Sequence, residues 1–127
     1  MAEIPRPLIV PNKYYHIYNR GNNRRTIFRE DRDFLRFLKL LDKYIQPVGE
    51  LLSYALMPDH FHLAVLTKRL EDIPPDLTRN PRTLGNTFGH LQNAYAKYFN
   101  HICEIKFPIC RYRIRVSGGN AQGAKAY

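Results

Sequence analysis

The chain has 127 residues, 44% of them hydrophobic, and a formal net charge of +9 from 20 Lys and Arg against 11 Asp and Glu, so one globular domain spanning 1–127 is expected rather than a disordered chain. Its longest apolar runs, "LAVL" and "LIV", are far too short to cross a bilayer, and "MAEIPRPLIVPNK" lacks the basic and apolar regions of a secretion signal; a cytoplasmic protein without a membrane partner is expected. A pI near 9.8 points to a polyanionic partner, nucleic acid first, because neutralising phosphates releases counterions.

In chain order, "YYHIYNR" (14–20) is alternating, aromatic and β-branched, which predicts a strand ending at Gly21. "EDRDFLRFLKLLDKYI" (30–45) places Phe34, Phe37, Leu38, Leu41 and Ile45 at helical spacing, with Asp31 as N-cap and Pro47 and Gly49 as the stop. "LLSYALM" (51–57) and "HFHLAVLT" (60–67) read as two strands joined by a short Pro58-Asp59 turn. A loop rich in proline and charge follows. "RTLGNTFGHLQNAYAKYFN" (82–100) then puts Leu84, Phe88, Leu91, Tyr95 and Tyr98 on one helical stripe, with Asn100 as its cap. "CRYRIRV" (110–116) alternates again, as a last strand. Cys103 and Cys110 form a C-x6-C pair with no second pair, so both are expected to be reduced and structural.

The order is β-α-β-β-α-β, which predicts an α+β, ferredoxin-like two-layer sandwich: an antiparallel sheet with both helices on one face. The core is expected over about 14–116, with 117–127 a tail. Phe61, Leu63 and Val65 should face the helices, which turns His60, His62 and Ala64 to the open face. Arg111, Arg113 and Arg115 are expected there too. Arg20 at the strand end and Arg24 and Arg25 in the glycine-flanked loop after it suit phosphate contact, with solvated surface charge an equally open reading. Two neutral imidazoles two residues apart on a strand can chelate one divalent ion, which would polarise a phosphodiester. The spacing alone favours a chance pair of histidines; only with the basic charge and the open-face geometry do the two readings stand level.

A resemblance narrows the choice. "YHIYNRGNNRRTIF", "DRDFLRFL", "YALMPDHFHLAV", "AYAKYFN" and "RYR", in that order between residues 14 and 115, resemble the HUH-class tyrosine transposases, chiefly the insertion-sequence-200 and REP-associated types. The most specific part is "MPDHFHL", two histidines around a bulky apolar residue. The resemblance implies a ferredoxin-like fold, Mg2+ or Mn2+ held by His60 and His62, and single-stranded DNA, in hairpin form, as partner. It implies a homodimer, and DNA cleavage through a 5′-phosphotyrosine link in transposition.

The family's nucleophile is a tyrosine on a helix after the last strand. Tyr127, 15 residues beyond Tyr112, matches by spacing, but the family's terminal helix and the Asn or Gln that completes its metal site have no counterpart. Tyr95 and Tyr98 are expected in the core. Tyr18 would share the open face with His16, a candidate third imidazole. Asp59 is expected to shape its turn rather than bind metal, and His90 and His101 carry no signal. A second reading stays open: a truncated, inactive member that binds hairpin DNA without cutting it, with Tyr14 and Tyr18 stacking on bases.

Overall fold

A computed structural model describes residues 8–21, 24–106 and 125–126. In chain order these form β1 (Tyr14–Arg20), α1 (Asp31–Ile45), β2 (Gly49–Met57), β3 (His60–Thr67), α2 (Thr83–Lys106) and the two-residue β4 (Lys125–Ala126). β3 pairs antiparallel with both β1 and β2, and β4 pairs antiparallel with β1, giving the sheet order β2-β3-β1-β4. The architecture is α+β. The final strand expected at 110–116 lies outside the described residues.

The alternation in β3 decides which way the sheet faces. Phe61, Leu63, Val65 and Thr67 are buried, while His60, His62, Ala64 and Leu66 are half-buried. Tyr15 and Ile17 of β1 join the buried set. That face packs with Phe37, Leu41 and Ile45 of α1 and with Leu84, Phe88 and Leu91 of α2 in one core. Phe37 ties the layers together, its ring centroid 4.9 Å from Phe61, 5.2 Å from Tyr95 and 5.3 Å from Phe28. Burying a side chain of that size stabilises by about 1.5–3 kcal/mol. Both helices therefore cover the same sheet face, as the periodicity predicts, and among the described residues no helix covers the other.

Three local expectations are corrected. The N-cap of α1 is Glu30, not Asp31. Asp33, inside the first turn and only 3% exposed, accepts from the backbone N–H of Arg29 at 2.8 Å and of Glu30 at 3.1 Å. A carboxylate there satisfies amides that the helix leaves without partners and lies favourably in the helix dipole. Secondly, α2 continues through Asn100 to Lys106, so Asn100 is not a cap. Phe99 and Cys103 extend its buried stripe by another turn and draw the helix onward. Thirdly, Cys103 is not a reduced thiol: it is disulfide-bonded, and no cysteine among the described residues is free. Cys110 is the chain's other cysteine and lies outside the described residues.

β2 starts earlier than the sequence suggests, at Gly49. There the backbone runs so close to β3 that an added Cβ would lie 2.8 Å from the Leu66 carbonyl oxygen. Its pairing with β3 is interrupted by a bulge between Leu51 and Ser53. β2 is an edge strand of the sheet, and Leu52 in the bulge and Tyr54 and Met57 beyond it are exposed.

Candidate metal and nucleic-acid site

The site is assembled from two adjacent strands. In the β1–β3 register, Arg20 sits opposite His60, Tyr18 opposite His62 and His16 opposite Ala64. Directly opposed residues share a face, so these side chains stand together on the open side. On the other flank of β3, Ala55 sits opposite His62 and Met57 opposite His60. Ala55 and Ala64 are small, which keeps the surface around His62 low.

The imidazoles are in mutual contact. The His60 and His62 rings lie 5.2 Å apart and nearly perpendicular, at 89°. His16 stacks on His62 at 5.0 Å and 19°, with its Nε2 2.8 Å from His62 Nδ1. Tyr18 lies 5.0 Å from His16 and 6.0 Å from His62, ring to ring. At the other end, Asp59 Oδ1 is 2.7 Å from His60 Nδ1. His16 thus stands beside the pair, as one sequence reading expects. Asp59 shapes its turn and also holds His60, a contact the turn chemistry did not reveal.

Electrostatics favour a neutral His62. Burial lowers its proton affinity first, and the positive charge available to His16, His60 and Arg20 lowers it further. Asp59 moves below the usual carboxylate range, chiefly through the hydrogen bond from His60 and then through the charges of His60 and Arg20. A neutral imidazole is the form that ligates a metal. Imidazole nitrogens at His60 and His62 fit a divalent ion by their chemistry, although among the described residues no group of three or more His, Cys, Asp or Glu is placed to hold one. His60 and His62 supply two donors of a set, not a closed cage.

The basic loop after β1 is fastened beside the histidines by the turn that precedes them. Gly21 N–H donates to the Asp59 carbonyl at 2.9 Å, and the N–H groups of Ile27 and Phe28 both donate to the Pro58 carbonyl, at 2.7 and 3.1 Å. The loop closes on itself through Arg24 N–H to the Gly21 carbonyl, with Arg24 at a positive φ of 56°. Arg20 and Arg24 are exposed and Arg25 is half-buried. All three are thereby anchored at the Asp59 end of the site. Asn19, the residue between Tyr18 and Arg20, turns to the closed face and donates to Gln92 of α2 at 2.6 Å. That link crosses 73 residues of sequence, and no local pattern signals it.

The remaining candidates separate cleanly. Tyr95 is buried, donates its hydroxyl proton to the Ile27 carbonyl, and is pushed well above the usual tyrosine range by burial and by the charge of Asp33. Tyr98 donates to Asp33 Oδ1 at 3.0 Å, and burial, that hydrogen bond and the carboxylate charge raise it too. Both belong to the core side, as expected. Tyr14 and Tyr18 are exposed on the open face, at 53% and 43%. Tyr127, Arg111, Arg113 and Arg115 lie outside the described residues.

Together these features define an α+β domain whose sheet carries a histidine cluster on the face away from the helices, with Arg20 at its edge. No family model matches the sequence, and no curated protein matches it. Among solved structures, the fold is similar to that of a REP-associated tyrosine transposase bound to a REP hairpin, with a TM-score of 0.58 at 15% identity. The match covers all of this chain and 62% of that one. At that identity the likeness establishes a shared fold and nothing finer. No helix among the described residues is long and apolar enough to cross a membrane.

Proposed function

We propose that this chain is a transposase-type domain that binds single-stranded DNA in hairpin form and nicks and rejoins it through a tyrosine ester. The observation that carries the reading is the placement of His60 and His62 side by side on an open sheet face, with Arg20 opposite His60. That arrangement suits a phosphodiester, because the arginines can bind non-bridging oxygens while the imidazoles face the reacting group. In this reading His60 and His62 hold Mg2+ or Mn2+, which when bound would polarise the phosphate and offset the charge developing on it.

The chemistry is transesterification. A tyrosine Oη attacks phosphorus, the bond from phosphorus to the 3′ oxygen breaks, and that oxygen leaves as a 3′-hydroxyl carrying a proton. The product is a 5′-phosphotyrosine link, and attack by another 3′-hydroxyl reverses the step and joins strands. Tyr127 is the proposed nucleophile by spacing from the last expected strand. Arg20, Arg24 and Arg25, with Arg111, Arg113 and Arg115, are the proposed phosphate contacts. The homodimer implied by the resemblance is part of the proposal, and the exposed Leu52 and Tyr54 on the outer strand β2 offer apolar area for it.

A second reading has its own support. Both hydroxyls on α2 nearest the core are committed to hydrogen bonds, and the described residues supply only two metal donors. A hairpin-binding module without chemistry would use the same arginines, with Tyr14 and Tyr18 as stacking surfaces worth about 1–3 kcal/mol per base. The deciding experiment is a Mn2+-dependent assay with a labelled hairpin oligonucleotide, scored for a covalent protein–DNA adduct and mapped by mass spectrometry. An adduct on Tyr127 that His60→Ala or His62→Ala abolishes is the expected result. Hairpin binding with no adduct would replace the enzyme reading by the binding module.

A further inference from the structure

We infer that Asp59 and His16 are positioning residues that fix which nitrogen each histidine of the pair presents: Asp59 sets His60, and His16 sets His62, so that both rings offer Nε2. These roles rest on the metal-site reading above and deepen it, but the tautomers themselves can be measured without any metal.

An ionised carboxylate can only accept a hydrogen bond, so the 2.7 Å contact between Asp59 Oδ1 and His60 Nδ1 requires the proton of His60 to sit on Nδ1. The neutral ring is then left with its lone pair on Nε2. Asp59 and His60 are consecutive, so the contact is local and is held by the turn rather than by distant packing. That turn is itself pinned, since the carbonyls of Pro58 and Asp59 accept three backbone N–H groups from the loop that follows β1. The carboxylate is thus carried on a fixed frame.

The second ring follows the same logic with a different partner. His62 Nδ1 lies 2.8 Å from His16 Nε2, and one of these nitrogens carries the proton while the other accepts. If His16 donates, His62 Nε2 bears a proton and cannot ligate. If His62 donates, its Nε2 lone pair is available. The second arrangement is the one that would serve a metal, because each Nδ1 is then spent inside the protein and each Nε2 is left for an outside partner. Stacking of His16 on His62 at 19° also fixes the plane of the His62 ring. Outer partners of this kind routinely orient metal-binding histidines and fix their tautomer.

The test reads tautomers directly. The full 127-residue chain, labelled with 15N-histidine and free of metal, is studied by long-range 1H–15N NMR at a pH above imidazole titration, with His60→Gln and His62→Gln assigning the signals. The expected result is an Nδ1–H tautomer for both His60 and His62. Asp59→Ala should move His60 towards Nε2–H, whereas Asp59→Asn, whose Oδ1 still accepts, should restore Nδ1–H. His16→Phe, which keeps a stacked ring but removes the acceptor, should release His62 in the same way. An Nε2–H tautomer at His60 or at His62 in the wild-type chain overturns the assignment for that ring, and this outcome is read on the unmutated fold.

Mn2+ binding, followed by electron paramagnetic resonance of the free ion, supplies the second readout. Asp59→Ala should weaken it about tenfold or more, with Asp59→Asn closer to wild type. A chain that shows the expected tautomers but binds no Mn2+ would bring down the metal reading while leaving the positioning roles standing. A chain that binds Mn2+ through His60 and His62 with unchanged affinity in Asp59→Ala and His16→Phe would do the reverse.

Discussion

Replacing Gly21 by alanine tests how the basic loop is mounted beside the histidines. A Cβ built at Gly21 would lie 2.5 Å from the Arg25 carbonyl oxygen and 2.7 Å from Ile27 Cγ2, well inside van der Waals contact. Neither neighbour can yield cheaply. Arg25 O is backbone, and Ile27, only 6% exposed, is tied to Pro58 through its N–H and to Tyr95 through its carbonyl. Relief means shifting the loop outward, at the cost of overpacking strain of about 1–3 kcal/mol and the weakening of one hydrogen bond at about 1 kcal/mol. The expected loss of stability is about 2–4 kcal/mol, read as a lower urea midpoint with unchanged slope. Gly85→Ala is the internal control, because an added Cβ there meets nothing within 4 Å. In a helix that substitution should stabilise by roughly 0.5–1 kcal/mol. If Gly21→Ala unfolds at the wild-type midpoint or above it, the packing of the loop against the Pro58-Asp59 turn is wrong, and so is the placement of Arg20, Arg24 and Arg25.

Four further outcomes are expected. Asp33→Ala leaves two backbone amides and the Tyr98 hydroxyl without their acceptor and should cost about 2–4 kcal/mol in chemical denaturation. Tyr95→Phe and Tyr98→Phe should each lower stability by about 1 kcal/mol yet leave any covalent DNA adduct intact by denaturing gel; loss of the adduct in either would put the nucleophile on the closed face. Lowered proton affinity at His62 means that the unfolded chain binds protons more readily at this position. The His62 contribution to stability is therefore fully present above the ordinary imidazole value of about 6.5. It falls as pH drops from there towards the lower folded value, and urea midpoints of wild type and His62→Gln across roughly pH 5–8 should converge at the acid end. Hairpin affinity should fall steeply with salt, and Arg20→Ala should reduce the slope of log affinity against log salt by about one.

The sequence was most legible where periodicity and burial agree. The alternation of "HFHLAVLT" places three apolar side chains on one face and both imidazoles on the other, and the structure keeps that division residue by residue. The stripes of both helices are visible for the same reason. Helix ends are less legible: Asn100 has the chemistry of a cap, but burial of Phe99 and Cys103 outweighs one polar residue's preference. Within the site, the aligned histidines follow from spacing, whereas the contacts that orient them do not. His16 and His62 are 46 residues apart, and only the β1–β3 register brings their rings together. The Asn19–Gln92 link is of the same kind. A Pro-Asp pair reads first as a turn, so the second role of the Asp59 carboxylate emerges only once the ring of His60 is in place.

The division of β3 also governs what the site can become. A slip of one residue in its pairing would drive His60 and His62 into the interior and turn Phe61, Leu63 and Val65 out to water. Each of those three apolar side chains is worth about 1.5–3 kcal/mol of burial, so the competing alignment is disfavoured by several kcal/mol before any imidazole is desolvated. The direction of the histidines is thus enforced by their neighbours, not by the histidines themselves. Substitutions at positions 60, 62 and 64 can change the chemistry of the histidine face while the opposite face keeps the strand in place, which makes this strand a scaffold whose outer residues can be exchanged without loss of the fold.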